Sequence, residues 1–230
     1  MQAPSTPLSI IIPTFNEAAA IIPTLRALQP LRQTGREVIV ADGDSQDGTP
    51  ELARPWADHV LRTGRGRAEQ MNAGARAASG EILLFLHADS LLPTHADQLI
   101  SEGLQQTHTE WGRFDVRLSG RHPLLRVVEQ LMNWRSRLTS IATGDQAIFV
   151  SRAWFNKVGG FPSIPLMEDI ALSRALKRLG PPLCLRARVI TSSRRWEQHG
   201  IMRTILLMWR LRLAYALGAD PQQLHRQYYR

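Results

Sequence analysis

Carboxylates stand in this sequence at places where metal binding and proton transfer need them. Asp89 follows a continuous apolar run, Asp42 opens an acidic stretch behind another one, and Glu168 and Asp169 stand side by side. Carboxylate oxygens are ligands for Mg²⁺ and Mn²⁺, and a carboxylate can also take a proton from a hydroxyl group. Asp89 therefore marks a candidate position for a cation that binds phosphate.

Each of these acids also has an ordinary structural explanation. A lone acid after a strand, such as Asp89, is more often a turn or a helix cap. The stretch 42–49 contains Asp-Gly pairs that are typical of turns. Glu168 and Asp169 would complement the dipole of a helix that begins there. Asp145 is a candidate contact for a second substrate, and a turn explains it equally well.

The elements around these acids decide between the two explanations. The run 81–86 shows no apolar-polar alternation, which is typical of a central strand in a covered parallel sheet. Three more strands and three helices are predicted around it: strands 8–13, 37–41 and 59–62, and helices 17–31, 50–54 and 67–78. This alternation predicts an α/β fold with a doubly wound, mostly parallel sheet and flanking helices. Right-handed crossovers then bring 14–17, 42–49 and 87–90 to one edge.

The second half of the chain has a less regular pattern. We predict helices at 97–106, 124–138, 168–179 and 201–217, strands at 112–118, 146–150 and 183–190, and a short helix capped by Ser151. The helices 124–138 and 201–217 are both amphipathic and rich in arginine. They either face the core or lie on an anionic membrane surface, with Trp134, Trp209 and Tyr215 at the interface. The end of the chain, 228–230, suggests no function.

Composition fits one globular domain. The chain has 230 residues, of which 43% are hydrophobic and 21% charged. The single Cys184 indicates a reducing compartment and no internal disulfide. The segment 1–14 lacks the pattern of a signal peptide, and no apolar stretch is long enough to span a membrane. We therefore expect a cytoplasmic protein.

The net charge of +8 comes almost entirely from arginine, because only Lys157 and Lys177 are lysines among the 28 basic residues. Biased codon usage explains this, but arginine also favours phosphate-bearing partners. No basic run exceeds two residues and no nucleic-acid-binding motif is present, so nucleic acid is not expected as a partner. An anionic membrane surface or a phosphorylated small molecule fits better.

Five motifs in order resemble family 2 glycosyltransferases, which have the GT-A fold. They are 10–17 (IIIPTFNE), 42–49 (DGDSQDGT), Asn72-Ala73-Gly74 with Ala78 and Gly80, His87-Ala88-Asp89, and Glu168-Asp169. The resemblance covers roughly 8–200. A narrower resemblance, to a bacterial subfamily of short enzymes in which some members are labelled carotenoid-acid glycosyltransferases, includes 85–89, 112–114, 144–149, 167–169 and 193–196. It implies a GT-A domain at 1–200, followed by a basic amphipathic helix and tail at 201–230 packed on or beside it.

The resemblance implies a role for each matching residue. Asp89 would ligate a divalent cation, Mn²⁺ or Mg²⁺, and Asp169 with Glu168 would be catalytic, Asp169 as the base for an acceptor hydroxyl. Asp145 and Gln146 would contact the acceptor. The nucleotide-sugar donor would be bound by Pro13, Thr14, Glu17, Asp42, Arg67, Asn72, His87, Arg195 and Trp196.

Two positions depart from the common family pattern. Gly43 replaces a second acid, so the resemblance does not assign the base of the donor. His87 replaces the first acid of the usual Asp-x-Asp. Imidazole is a softer ligand than carboxylate and would favour Mn²⁺ over Mg²⁺, but we expect His87 to orient the nucleotide instead.

The resemblance implies an inverting transfer of a sugar to an acceptor hydroxyl or carboxylate, on a small molecule or a lipid-linked acceptor. A nucleotidyltransferase is the nearest enzymatic alternative, and it would be expected to carry a glycine-rich loop where 13–17 has no glycine. A basic membrane-surface binding module without catalysis is the non-enzymatic alternative.

Overall fold

A computed structural model describes residues 7–229 of the chain. The first six residues, which belong to the segment 1–14 discussed above, and the terminal Arg230 lie outside the described part. In this part the chain forms eight strands, all in one sheet, together with ten helices and two short 3-10 turns.

The elements alternate between strand and helix in the first half of the chain and are mixed in the second. The strands are β1 (Leu8–Thr14), β2 (Glu37–Asp42), β3 (His59–Arg62), β4 (Ile82–Phe85), β5 (Ser90–Leu91), β6 (Trp111–Leu118), β7 (Phe149–Ser151) and β8 (Leu183–Thr191). The helices are α1 (Ala18–Gln33), α2 (Thr49–Ala53), α3 (Arg67–Ala77), α4 (Ala96–Thr107), α5 (Pro123–Thr139), α6 (Arg152–Lys157), α7 (Glu168–Lys177), α8 (Arg194–His199), α9 (Ile201–Ala216) and α10 (Pro221–Tyr228). The 3-10 turns are Arg54–Trp56 and Gly144–Gln146.

The strand order is β3-β2-β1-β4-β7-β6-β8-β5. The first four strands in this order are parallel, which confirms the predicted α/β class and the doubly wound arrangement. β7 is antiparallel to both of its neighbours, whereas β8 is parallel to β6 and β5 is antiparallel to β8. The carboxyl ends of β1, β2 and β4 therefore lie at one edge of the sheet, as predicted.

Several boundaries differ from the sequence prediction. The predicted strand 146–150 is too early, because Gln146 belongs to a 3-10 turn and Ala147 has a left-handed backbone (φ 47°) that interrupts extended structure. The extended segment β7 begins only at Phe149. Ser151 caps α6 as predicted, and its side chain accepts a hydrogen bond from the N–H of Trp154. The short elements β5, α8 and α10 were not predicted.

The central strands are buried on both faces, which explains their uninterrupted apolar sequence. Successive residues of a strand point to opposite faces, so Ile10 packs into one layer of the core and Ile11 into the other. Leu83 and Leu84 of β4 divide in the same way. Each fully buried side chain of this size stabilises the fold by about 1.5–3 kcal/mol. The core therefore fixes β1 and β4, and with them the loops that follow.

Residues 201–229 form α9 and α10 with their connections, and α9 packs beside α5 and α8. No helix among residues 7–229 combines the length and the apolar character needed to cross a bilayer. The division of the chain at residue 200 stays a prediction.

A half-buried arginine holds the connection that leads into β4. Arg152 donates hydrogen bonds from Nε to the carbonyl of Gly80 (2.9 Å), from Nη1 to that of Ala75 (3.2 Å) and from Nη2 to that of Ala78 (2.7 Å). These carbonyls lie at the end of α3 and in the following turn, where no helical N–H is available to them. One guanidinium group thus holds the entry to β4, the strand that leads to Asp89.

We expect Arg152→Met to lower the free energy of unfolding by about 3 kcal/mol, because it removes charge-assisted hydrogen bonds and leaves carbonyls without donors. For a chain of this size, the melting temperature should fall by roughly 8 °C. Thermal unfolding followed by circular dichroism measures this change. The control is Arg178→Met on the exposed surface, where a change below about 0.5 kcal/mol is expected. Equal melting temperatures for the two variants would contradict the role of Arg152.

Candidate active site

A pocket of about 400 Å³ lies beyond the carboxyl ends of β1 and β4. Its wall brings together nine of the residues that the sequence singled out. They are Glu17, Arg67, His87, Asp89, Asp145, Glu168, Asp169, Arg195 and Trp196. A larger cleft of about 770 Å³ lies along α8, α9 and α10, but its lining contains no carboxylate. We therefore assign the chemistry to the smaller pocket.

Glu17 and Asp89 place two carboxylates at one end of this pocket. Glu17 directly precedes α1, and half-buried Asp89 lies in the tight turn between β4 and β5. Burial raises the pKa of Glu17, the negative charge of Asp89 raises it further, and Arg194, His87 and Arg67 act in the opposite direction. The guanidinium of Arg194 lies 3.8 Å from the Glu17 carboxylate. A cation between the two acids would relieve their repulsion.

The protein supplies only part of a metal site here. Within residues 7–229, no three His, Cys, Asp or Glu side chains are grouped so that they could hold a metal ion by themselves. A cation at Asp89 would take its other ligands from water and from the substrate. Mg²⁺ is bound in this way in many phosphate-using enzymes, through one or two carboxylates and the phosphate oxygens. The donor set at Asp89 fits such a shared ion.

Asp169 is held in one orientation at the other end of the pocket. It lies in the first turn of α7, and its Oδ2 accepts a hydrogen bond from the backbone N–H of Gly144 (2.9 Å). Its Oδ1 accepts one from the N–H of Ile170 (2.7 Å). Met167, immediately before the helix, has a left-handed backbone (φ 71°) that turns the chain into the pocket. Asp169 is therefore a fixed carboxylate that faces open space.

His87 and Asp145 form a pair between the two ends. His87 Nδ1 lies 3.4 Å from Asp145 Oδ1, and the other ring nitrogen is buried without a hydrogen-bond partner in the described part of the chain. Burial works to raise the pKa of Asp145, but the hydrogen bond and charge of His87, together with Arg67 and Arg212, lower it below its ordinary value. Asp145 is thus an ionised acid that orients the imidazole.

Gly144 is required for this arrangement. A Cβ atom at this position would lie 2.4 Å from His87 Nε2, so a larger residue would push the imidazole out of its place. The backbone of Gly144 therefore contacts His87 on one side and Asp169 on the other.

Glu168 is buried and pairs with Arg67. The carboxylate is only 4% exposed and lies 3.5 Å from the guanidinium of Arg67, whose side chain is 42% exposed. Burial raises the pKa of Glu168, Arg67 opposes this effect, and the neighbouring Asp169 adds to it. Burial lowers the pKa of Arg67, but neighbouring negative charges, of which Glu168 has the largest effect, raise this pKa above its ordinary value. Glu168 thus holds Arg67 at the pocket wall.

The acidic stretch 42–49 is largely occupied with its own folding. Asp42 is fully buried, and its carboxylate accepts hydrogen bonds from the hydroxyl of Thr14 and from the backbone N–H of Ser45, both at 2.8 Å. Asp47 accepts one from the N–H of Ala18 (2.9 Å). These contacts lock the turn against the beginning of α1. A direct contact of Thr14 or Asp42 with the donor stays a prediction.

Three other candidates lie outside the lining of the pocket. Asn72 forms two hydrogen bonds with the backbone of Phe161, at 2.8 and 2.9 Å. Gln146 is fully buried, and its side chain accepts a hydrogen bond from the N–H of Thr143 (3.2 Å), which shapes the turn that presents Gly144. Pro13 lines a small adjoining cavity. The observed contacts of Asn72 and Gln146 are structural, and their predicted contacts with donor and acceptor stay untested.

The sequence profile described as "Glycosyl transferase family 2" matches residues 9–158, about two thirds of the chain. The chain belongs to this family. Among curated relatives of the family 2 chain, an uncharacterized glycosyltransferase of Haemophilus influenzae is 28% identical over 182 residues, which is 75% of this chain and 58% of that protein. The chain thus spans little more than half of that relative.

Solved structures of glycosyltransferases share the fold of this family 2 chain. The mannosyltransferase PcManGT from Pyrobaculum calidifontis, in complex with GDP-Man and Mn²⁺, has a TM-score of 0.66 and 24% identity, with coverage of 97% of this chain and 69% of that one. TarS of S. aureus, in complex with UDP, has a TM-score of 0.66 and 20% identity, with coverage of 81% and 60%. These likenesses confirm the predicted GT-A fold.

Part of the family 2 pocket was missed by the sequence analysis. Arg194 and Arg212 line it, as do Tyr228 and Tyr229 from the end of the chain. The guanidinium of Arg195 lies 3.5 Å from the centroid of the Tyr228 ring and donates to the Tyr228 carbonyl (2.5 Å). In the sequence, Arg212 is one of several arginines on an amphipathic helix, and no local pattern distinguishes it from the others.

We expect Arg67→Met to destabilise the protein by about 2 kcal/mol near pH 8 and by less near pH 5, because the substitution leaves the buried Glu168 carboxylate without its positively charged partner. The folded-state pKa of Glu168 is raised, so this group favours the folded state at low pH, and the advantage is lost as pH rises through that pKa. Thermal unfolding at the two pH values measures the difference.

The double variant Arg67→Met/Glu168→Gln is the control for this experiment. It removes the stranded charge, and its stability deficit should not grow with pH. Should the single variant show the same deficit at both pH values, Glu168 is not the group that Arg67 neutralises.

Proposed function

We propose that the protein is an inverting, metal-dependent glycosyltransferase that moves a sugar from a nucleoside diphosphate donor to an acceptor hydroxyl or carboxylate. The observation that carries this proposal is the shared pocket of Asp89 and Asp169, with Asp169 fixed by the N–H of Gly144. Membership of family 2 supports the reaction class. The UDP and the GDP-Man named in the two solved structures support the donor class.

Asp89, with Glu17 nearby, would hold a divalent cation against the diphosphate of the donor. The cation supplies Lewis-acid stabilisation of the leaving diphosphate when it is bound. Mn²⁺ in the Pyrobaculum mannosyltransferase supports Mn²⁺ or Mg²⁺ at this place. Arg194, which lies 3.8 Å from Glu17, and Arg67, which lines the same pocket, would add positive charge at the phosphates.

Asp169 would accept the proton of an acceptor hydroxyl as the oxygen attacks the anomeric carbon of the sugar. Two backbone N–H groups hold its oxygens, so little reorganisation is needed during the transfer. A single displacement from the face opposite the diphosphate inverts the anomeric centre. Asp145 would keep the imidazole of His87 in a fixed orientation beside the donor.

We expect Asp169→Asn to lower kcat by about 10²–10⁴, because an amide cannot take the proton. Asp89→Asn should abolish most of the stimulation by Mn²⁺. Release of UDP or GDP from a panel of nucleotide sugars, with and without Mn²⁺, measures both effects.

Asp44→Asn is a matched control in the same strand-edge region, because Asp44 is exposed and its left-handed backbone (φ 67°) suits asparagine. Its activity should equal that of the wild type. Unchanged turnover in both the Asp89 and the Asp169 variants would refute the proposed roles.

We further propose that the enzyme works on an anionic membrane surface. Apolar side chains at helical spacing are exposed on one face of α5 and on one face of α9. They are Leu124, Val127, Leu131, Trp134 and Leu138 on α5, Met202, Leu206, Trp209 and Leu213 on α9, and Leu217 directly after α9. The indoles of Trp134 and Trp209 are 63% and 62% exposed. We call these ten residues the apolar face.

A negatively charged bilayer is the occupant that fits the apolar face best, because the chain carries a net charge of +8. Exposed arginines such as Arg203 and Arg210 lie on the same helix as half of the face. The unpaired Cys184 agrees with a reducing compartment, so we place the enzyme at the cytoplasmic side. A lipid-linked acceptor would then be supplied from the surface on which the enzyme rests.

We expect the double variant Trp209→Gln/Leu213→Gln to bind vesicles rich in phosphatidylglycerol about tenfold more weakly or worse, because it removes two large apolar contacts. Cosedimentation with vesicles measures binding, and phosphatidylcholine vesicles should bind the wild type more weakly. Leu52→Gln, at an exposed leucine on α2, is the control. Binding that is unaffected by the double variant excludes the apolar face as the membrane contact, and loss of a dimer in the variant would assign the face to a second copy.

A further inference from the structure

The arginines of α5 differ sharply in their partners. Arg126 Nη2 lies 2.9 Å from Glu129, and Arg137 Nη2 lies 2.8 Å from Asp115. Arg135, between them in sequence, has two guanidinium nitrogens, Nε and Nη2, that are buried and lack any hydrogen-bond partner in residues 7–229. Arg126 and Arg137 therefore have carboxylate partners, whereas Arg135 has none within the described residues.

A second arginine, Arg212 of α9, adds positive charge to the surroundings of Arg135. Arg212 lines the 400 Å³ pocket, and among the described residues it forms no ion pair within 4.0 Å, unlike Arg67 and Arg194 of the same pocket. Burial and the charge of Arg212 both lower the pKa of Arg135, to about 10, while Asp169 and Asp145 act against them. Burial likewise lowers the pKa of Arg212. With a pKa of about 10, Arg135 stays protonated at neutral pH.

These cations belong to the Asp169 end of the pocket. The charges that act on Arg212 are those of Asp169 and Asp145, followed by Tyr228. The charges that act on Glu17, at the other end, are those of Asp89 and Arg194 first. Donor diphosphate and cation would be held near Asp89, so an anion at Arg212 would lie on the side from which the acceptor approaches Asp169.

Leaving buried guanidinium nitrogens without acceptors is unfavourable, and like charges in proximity add to this cost. Anionic oxygen atoms at Arg212 would offset the excess of positive charge, since a phosphate or carboxylate group accepts several charge-assisted hydrogen bonds from a guanidinium group. The protein itself places no carboxylate there, although it does so for Arg126 and Arg137 on the same helix.

We propose that Arg212, supported by the positive charge of Arg135 behind it, forms a subsite for an anionic group of the acceptor, a phosphate or a carboxylate, in the pocket that Asp169 also lines. This inference rests on the proposed function and narrows the acceptor to negatively charged molecules. The anionic group positions the acceptor so that the nucleophilic oxygen of the acceptor reaches Asp169. The anionic group itself takes no part in bond making.

Binding of two matched probes, phenyl phosphate and benzoate, tests the subsite by isothermal titration calorimetry. The wild type is titrated in the presence of Mn²⁺ with excess UDP and GDP, which fill the donor end. We expect at least one probe to bind, and we expect Arg212→Met and Arg135→Met each to weaken it at least tenfold. Arg203→Met, at an exposed arginine on α9, should leave probe binding unchanged.

Nucleotide binding and the melting temperature, measured for each variant, show whether the fold and the donor end are intact. Arg212→Lys keeps the positive charge and should retain part of the affinity for the probe. The subsite is overturned if neither probe binds, if the nucleotides displace both probes, or if the arginine variants bind as the wild type does. If UDP and GDP do not bind the wild type, the proposed function is refuted. In that case, titration of the two probes without nucleotide and without Mn²⁺ tests the subsite, and the same results would overturn it.

Discussion

The hydrogen bond from the backbone N–H of Gly144 to the carboxylate of Asp169 connects the two halves of the pocket. It joins the turn before β7 to the first turn of α7. The same glycine leaves room for His87, which follows β4 and pairs with Asp145. Elements that are distant in sequence are thus held together through one small residue. The position of the proposed base relative to the donor depends on this contact.

Acidic side chains and arginines are both numerous in the pocket, and each set reduces the electrostatic repulsion within the other. Five carboxylates and four arginines line it, and the closest recorded pairs, Arg67 with Glu168 and Arg194 with Glu17, are separated by 3.5 and 3.8 Å. The proposed metal ion near Asp89 and the proposed anion at Arg212 would each bring a charge opposite to that of its neighbours.

The sequence predicted those parts of the fold that follow from local pattern. The uninterrupted apolar strands β1 and β4 are visible because both of their faces are buried, and the strand-edge position of Asp89 follows from the parallel sheet. It did not predict that Asp42 would be fully enclosed or that Gln146 would shape a turn. Asp42 depends on Thr14, which is 28 residues away and becomes its partner only after the chain has folded. Thr143 and Gln146 are only three residues apart, so their contact follows a local spacing that the sequence analysis overlooked. α10 was also missed, although Asp220 caps it in the usual way.

The stacking of Tyr228 on Arg195 has a practical consequence for dissecting the enzyme. α9 carries half of the apolar face and also contributes Arg212, while α10 brings the tyrosine that covers Arg195. A truncation that deletes both helices would open the wall of the pocket at the same time as it removes half of the apolar face. Lost turnover in such a shortened protein would therefore say nothing about whether membranes matter. Replacement of individual side chains, in contrast, can separate an effect on the pocket from an effect on membrane binding.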